Sequence, residues 1–163
     1  MENFSVDDLQ TKLKIALWAI FWYDKVMQFS IKTKGFNDII DITDRVSEIV
    51  GKSKIKNGIC LISCPGSTAG LTTIENDPNL LEDFKEFLEK MAPSDKSYHH
   101  DETWGDKNAS GHLKSSLIKP FLTVPIEDGK LLLGTWQQVV LIDFDERPRE
   151  REILIKIISS NKT

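Results

Sequence analysis

Residues 121–157 read FLTVPIEDGKLLLGTWQQVVLIDFDERPREREILIKI, and this stretch decides the fold class. Asp128-Gly129 is a strong hairpin-turn signal, because both residue types tolerate the positive φ angles that tight turns require. On either side of this turn, runs of apolar and β-branched residues predict strands over 121–126, 130–136, 138–145 and 152–157. The stretch therefore predicts an antiparallel meander.

The chain before this stretch adds further strands and two helices. Strands are predicted over 27–33, 38–42 and 59–64. Thr43 or Asp44 can cap a short helix that ends at Gly51. Asp77-Pro78 opens a longer helix, whose apolar stripe ends before Pro93. Helices segregated from antiparallel strands predict an α+β fold.

The length of 163 residues fits one domain. We predict that this domain covers residues 27–157 and that 158–163 form a loose tail. Residues 1–26 are an N-terminal extension, either a packed or interfacial helix or a stretch upstream of a true start at Met27. Its apolar run over 15–23 is far shorter than the roughly 20 residues that a membrane-spanning helix needs. We expect no membrane span.

Composition argues against two further classes of protein. A net charge of −4 gives no general attraction to nucleic acid, whose binding proteins cluster Lys and Arg against phosphate. Two cysteines, Cys60 and Cys64, are too few for a disulfide-rich secreted scaffold. Their spacing is not a common zinc spacing, and along a strand it suits no disulfide. We expect both thiols to be buried and reduced, in a cytoplasmic protein.

Polar residues between Gly66 and Gln137 form the candidate site. The small, hydroxyl-rich run 65–70 could aim backbone N–H groups at a phosphate, or could be an ordinary turn between strands. All three histidines fall within 14 residues, and imidazole and carboxylate groups serve both as metal ligands and as acid–base groups. Each of these residues taken alone could equally be an ordinary surface group.

Together these pieces resemble the ordered signature of the YjbQ family over residues 27–157. The motifs that carry the resemblance are Pro65-Gly66-Ser67-Thr68-Ala69-Gly70, Glu75, Asp83, Tyr98-His99-His100-Asp101, Asn108-x-x-x-His112-Leu113-Lys114, Gly129-x-Leu131-x-Leu133-Gly134-Thr135-Trp136-Gln137 and Asp145-x-Arg147-x-Arg149. Each motif alone is weak, but their order and spacing together are specific. The segment Asp41-Ile42-Thr43 also looks like the start of that family.

The resemblance implies a YjbQ-like antiparallel β sandwich with helices packed on one side, assembled as a homotrimer. It also implies activity as a secondary thiamine-phosphate synthase, acting on a small phosphorylated substrate with a divalent metal, Mg²⁺ or Zn²⁺. The roles expected from it are metal binding by Glu75, Asp83, His100 and His112, with Asp101 as a further candidate. Catalysis is expected from His100, His112, Lys114 and Gln137, and substrate binding from Ser67, Thr68, Asn108 and Arg147.

One residue departs from the family pattern. The family carries histidine where this chain has Gly66, which puts in doubt any chemistry that needs that imidazole. Two other hypotheses therefore stay open. The protein could be a binding module that keeps the pocket without efficient catalysis, or a metal-dependent hydrolase of a phosphorylated small molecule.

Overall fold

The computed structural model describes residues 26–160 and, besides these, Gln10. The predictions for the N-terminal extension therefore lie almost wholly outside the described residues. The described part contains eight strands, β1 to β8, and four helices, α1 to α4, in the following order: β1 Met27–Lys32, β2 Asp38–Asp41, α1 Thr43–Ser53, β3 Gly58–Ser63, β4 Ala69–Ile74, α2 Pro78–Met91, α3 Asp101–Trp104, α4 Ala109–Ile118, β5 Phe121–Glu127, β6 Lys130–Leu131, β7 Gln138–Asp143 and β8 Glu150–Ser159.

The strands form two antiparallel sheets, which confirms the predicted α+β sandwich. The larger sheet has the order β1-β8-β3-β5-β6, and the smaller has the order β2-β7-β4. A core of buried side chains from β3, β4, β5, β7, β8 and α1 fills the space between them. Burying apolar area of this kind supplies most of the free energy that favours the folded state.

The second face of the smaller sheet packs against α2. Val140 and Ile142 of β7 pack with Leu88 of α2, and all three are fully buried. Val139 and Leu141, which alternate with them, face the core between the sheets. Strand β7 is therefore covered on both faces, which explains its continuous apolar sequence.

The predicted meander over residues 121–157 is wrong. Its first hairpin exists, with β5 and β6 joined by Asp128 and Gly129, both of positive φ. Strand β6 then ends at Leu131, and β7 lies in the other sheet. Between β6 and β7, the Gln137 side-chain oxygen accepts a hydrogen bond from Gly134 N at 2.8 Å and closes a turn where a strand was predicted. Strand β8 returns to pair with β1 and β3.

Two boundaries differ from the predictions, and a third agrees with them. Helix α1 continues through the exposed Gly51 to Ser53, and Lys54 ends it with a left-handed φ of 59°. Strand β8 continues to Ser159, so the tail begins later than residue 158. Helix α2 begins as predicted, because the Asp77 carboxylate accepts hydrogen bonds from the backbone N–H groups of Asn79 and Leu80.

Both cysteines are buried and free, as predicted. Burial raises the pKa of Cys60 to about 12. It also raises the pKa of Cys64 to about 11, partly opposed by the nearby Arg151. Neither thiol is poised to ionise near neutral pH, so both behave as core residues. Over the described residues, every helix is too short or too polar to cross a bilayer.

Candidate active site

Helix α4 holds the candidate site against the end of the smaller sheet. Its Ser115 hydroxyl donates a hydrogen bond to Ala69 O at 2.6 Å, and its Ser110 hydroxyl donates one to Ala92 O at 2.6 Å. At Gly111 a Cβ would lie 2.6 Å from Phe144 O, so only glycine allows the helix this close approach. These contacts fix the position of His112, the next residue.

The structure brings His100 and His112 together, as the predicted site requires. Their ring centroids lie 4.9 Å apart, with the ring planes at 77° to each other. His112 is half-buried on α4, whereas His100 and His99 are exposed in the preceding loop. Two imidazoles this close can share or relay a proton, or can face one ligand from two sides.

The loop around His100 carries carboxylate and amide oxygens without partners. Asp101 Oδ1, Asp106 Oδ1 and Asn108 Oδ1 are buried and accept no hydrogen bond from residues 26–160. Their other oxygens and nitrogens are engaged, since Asp101 Oδ2 accepts from Tyr98 N and Asn108 Nδ2 donates to Asp106 Oδ2. Buried acceptors normally find a donor or a cation, so this loop offers ligand-binding capacity beside the histidine pair.

The predicted metal ligands do not converge within one chain. Among residues 26–160, no three His, Cys, Asp or Glu side chains are placed to hold an ion. Glu75 follows β4 and Asp83 lies on α2, and both are exposed. A zinc centre needs at least three protein ligands, so the donor set of residues 26–160 does not fit Zn²⁺. Mg²⁺ can be held by one or two carboxylates together with waters and substrate phosphates, so the predicted Mg²⁺ remains a prediction. We therefore derive no chemistry from a bound metal.

Lys114 lies away from the histidine pair. It is two residues beyond His112, about 200° around the helix. Its ammonium group is buried, with 2% of the side chain exposed, and pairs with the Glu89 carboxylate. Asn37 Oδ1 also accepts a hydrogen bond from it at 3.3 Å. This placement does not support the predicted contact between Lys114 and phosphate.

Glu89 is a residue that the sequence analysis missed. It accepts hydrogen bonds from Lys114, Asn37 and Ser94, and so joins α2 to α4 and to the loop after β1. Burial opposes the ionised form, but these hydrogen bonds outweigh it and lower the pKa of Glu89 to about 2. Nothing in the surface-like pattern of α2 marks this acid, since its partners lie far away in sequence.

Gln137 and Arg147 form no hydrogen bond with His100 or His112 among residues 26–160. Gln137 is exposed, and its amide is used in its own turn, with Nε2 donating to Thr73 Oγ1 at 3.3 Å. Arg147 is exposed on the turn between β7 and β8. Their predicted roles in catalysis and substrate binding remain predictions.

The two predicted hydroxyl ligands in the turn 65–68 differ in their exposure to solvent. Ser67 is exposed and can meet a ligand. Thr68 is buried, donates to Asp145 Oδ2 at 2.9 Å and accepts from Arg151 Nη2 at 2.9 Å. Its hydroxyl is therefore engaged in protein contacts, which does not support its predicted binding to substrate.

A buried ionic network anchors this turn. Arg151 donates to both oxygens of Asp143, while Asp145 pairs with Arg149 at 2.9 Å. Burial opposes ionisation of Asp145, but its hydrogen bonds to Arg149 and Thr68 outweigh this and lower its pKa. A pattern in the sequence could have indicated this network. The acids at 143 and 145 are two residues apart, as are the arginines at 149 and 151, and this spacing places both members of each pair on one face of a strand.

Comparison with known proteins identifies the family. Residues 27–160 match the family model described as UPF0047 protein YjbQ-like. A UPF0047 protein of Archaeoglobus fulgidus is 41% identical over 132 residues, covering 81% of this chain and all of the relative. A UPF0047 protein of Methanocaldococcus jannaschii is 40% identical over 134 residues, covering 82% of this chain and 94% of the relative.

Solved structures agree with this assignment. A YbjQ-like protein of unknown function from Sulfolobus solfataricus superposes with a TM-score of 0.76 at 35% identity, covering 83% of this chain and 99% of the other. A YjbQ/UPF0047 protein from Clostridium acetobutylicum superposes with a TM-score of 0.74 at 36% identity, covering 81% and 99%. Sequence and structure thus lead to one conclusion: the chain belongs to the YjbQ-like UPF0047 family.

Proposed function

We propose that this protein is a secondary thiamine-phosphate synthase. The reaction joins a pyrimidine methyl diphosphate to a thiazole phosphate and releases pyrophosphate. The observation that carries the proposal is the pair His100 and His112, 4.9 Å apart beside unpartnered acceptors in the same loop. Membership of the YjbQ-like family supports it, because the resemblance implies this activity.

The histidine pair suits the bond that must break. The methylene carbon loses its C–O bond to the diphosphate, which departs with the electron pair, and the thiazole nitrogen attacks the carbon. The charge that develops on the departing oxygen must be stabilised or protonated. In this proposal one imidazole donates a proton to that oxygen and the other holds the group in place. Ser67 and Asn108 are the polar residues proposed to contact the substrate.

Self-association as a homotrimer is part of the proposal. Helices α2 and α4 expose Phe87, Met91, Leu113 and Leu117, and Trp136 is exposed on the turn before β7. Clusters of exposed apolar side chains are typical of surfaces that bind another protein. An assembly could also bring the acids of one chain to the histidines of another.

We further propose a cytoplasmic location, which two free thiols support.

The test is formation of thiamine phosphate by the purified protein from the two precursors with Mg²⁺. We expect His112→Ala to abolish formation and His99→Ala, a neighbouring exposed histidine, to retain it. No product above background from the wild-type protein would reject the proposal. Metal analysis of the purified protein tests the predicted divalent metal separately.

A binding module is the second candidate, and Gly66 favours it. The family histidine is replaced here by a residue whose φ is +149°, a conformation that side chains rarely adopt. Recovery of activity in Gly66→His would indicate that catalysis was lost with that histidine. Release of phosphate from model esters, without synthase activity, would instead indicate a hydrolase.

A further inference from the structure

The guanidinium group of Arg151 is held rigidly below the turn 65–68. Its Nε donates to Asp143 Oδ2 at 2.8 Å and its Nη2 donates to Asp143 Oδ1 at 2.6 Å. Nη2 also donates to Thr68 O at 3.2 Å and to Thr68 Oγ1 at 2.9 Å. A bidentate pair with a fully buried carboxylate fixes the orientation of the planar group.

The remaining nitrogen, Nη1, donates no hydrogen bond to any atom of residues 26–160. The side chain is nine-tenths buried, with 10% of its surface exposed. Nη1 faces Gly66, because a Cβ placed on that glycine would lie 3.3 Å from it and within 4 Å of no other atom. Only the absence of a side chain at position 66 leaves this nitrogen uncovered.

The turn above Nη1 supplies further donors. Pro65, Gly66 and Ser67 are exposed, and the Ser67 hydroxyl has no partner among the described residues. The backbone N–H groups of Gly66 and Ser67 likewise donate no hydrogen bond within residues 26–160. Successive free N–H groups in a turn, next to an arginine, are the usual elements of a phosphate-binding site.

We propose that Arg151 Nη1 and the turn Gly66–Ser67 form an oxyanion subsite that binds a phosphoryl group. The positive charge of Arg151 is balanced by Asp143, and that of Arg149 by Asp145. The network is thus neutral overall, so the subsite binds through directed N–H groups and weakly, rather than through a large net charge. A histidine at position 66 would cover Nη1, so this subsite is a property of chains with glycine there.

The subsite shares Ser67 with the proposed substrate contacts, but it is tested separately from the proposed synthase reaction. It requires neither His100 nor His112, and its occupancy is measured without turnover. Failure of phosphate binding would leave the synthase assay unaffected, and an inactive protein could still bind phosphate. The two proposals therefore fail separately.

The experiment is a titration of the purified protein with inorganic phosphate, in which binding is measured from the broadening of the ³¹P NMR signal. We expect saturable binding in the wild-type protein, weakened at least about tenfold in Ser67→Glu, because the new carboxylate lies within the subsite and repels the phosphate. Ser47→Glu makes the same charge change at an exposed position on α1 and should stay within about twofold of wild type. Circular dichroism confirms that each variant is folded.

A second variant covers the subsite directly. Gly66→His should also abolish binding, because its side chain would occupy the space over Nη1. A phosphate monoester in competition distinguishes the source of the ligand: displacement assigns the subsite to the phosphoryl end of a larger molecule, and no displacement assigns it to free phosphate. Absence of saturation below about 10 mM in the wild type, or equal binding by Ser67→Glu and Ser47→Glu, would overturn the proposal.

Discussion

The ion pair between Lys114 and Glu89 gives a prediction whose size follows from the structure. Substituting Glu89→Gln removes the countercharge of an ammonium group that is almost completely buried. Breaking a buried ion pair by removing one partner typically costs about 3–5 kcal/mol of unfolding free energy. Glu89 itself is 39% exposed, so water screens part of this interaction. Glutamine also keeps an oxygen that can accept from Lys114, and we therefore expect a loss of about 2–3 kcal/mol at pH 7.

The same pair predicts a pH dependence. Because the pKa of Glu89 is lowered from 4.5 to about 2, its contribution to stability is complete above pH 4.5 and declines as the pH falls toward 2. The difference in unfolding free energy between wild type and Glu89→Gln should therefore be constant from pH 7 to 5. It should shrink progressively between pH 4.5 and 2.

Urea unfolding monitored by circular dichroism provides the assay. A loss of 2–3 kcal/mol should lower the midpoint by about 1 M urea, given the slope expected for a domain of this size. The matched control is Glu86→Gln, on the same helix, where the carboxylate is exposed and lies 3.6 Å from an exposed Lys90. That variant should change stability by less than about 0.5 kcal/mol. Equal midpoints for the two variants would refute the structural role of the Lys114–Glu89 pair.

Further variants test the core, the strained glycine and the interface. Leu88→Ala should cost about 2–5 kcal/mol in urea unfolding, because Leu88 is fully buried between α2 and β7, and a loss under 1 kcal/mol would contradict this packing. Gly66→His should lower stability by about 1–3 kcal/mol through backbone strain, and an unchanged melting temperature would show that the turn adapts. Phe87→Glu should convert the proposed trimer to smaller species in light scattering, since Phe87 is 53% exposed; a wild-type monomer at micromolar concentration would reject the trimer itself.

The elements that the sequence predicted well are those specified locally. The start of α2 follows from Asp77 and Pro78, and the β5–β6 hairpin from Asp128 and Gly129. The meander prediction failed because the choice of partner strand is not local: β7 leaves its neighbours in sequence for β2 and β4. The turn closed by Gln137 lies where the chain passes from one sheet to the other, and its hydrogen bond is seen only in the folded chain.

Helix α4 was missed for a different reason. Its contact face includes Ser110, Gly111 and Ser115, small residues that let the helix lie close to the end of α2, to β4 and to Phe144 after β7. Such a face shows no apolar stripe, so the periodicity that reveals most surface helices is absent. Close packing of the backbone contributes to its contact, together with the buried Lys114 and with Ile118, which packs near Gly70.

Only the part of the candidate site that lies close together in sequence could be predicted. His100 and His112 could be grouped because they lie close together in sequence, and the structure does bring them together. The partner of Lys114 was not predictable, since Glu89 lies 25 residues earlier on another helix. Four residues predicted from the family resemblance to bind metal do not converge within one chain, which a linear sequence could not reveal.

The most direct test of the histidine pair, His100 and His112, uses the fact that the chain has only three histidines. Pyrophosphate is titrated into the protein with Mg²⁺, and the imidazole C–H resonances are followed by NMR. We predict that the signals of His100 and His112 shift together along one saturation curve, while that of the exposed His99 stays nearly unchanged. Shifts confined to His99, or no shift in any of the three, would contradict the claim that this pair holds the phosphorylated ligand.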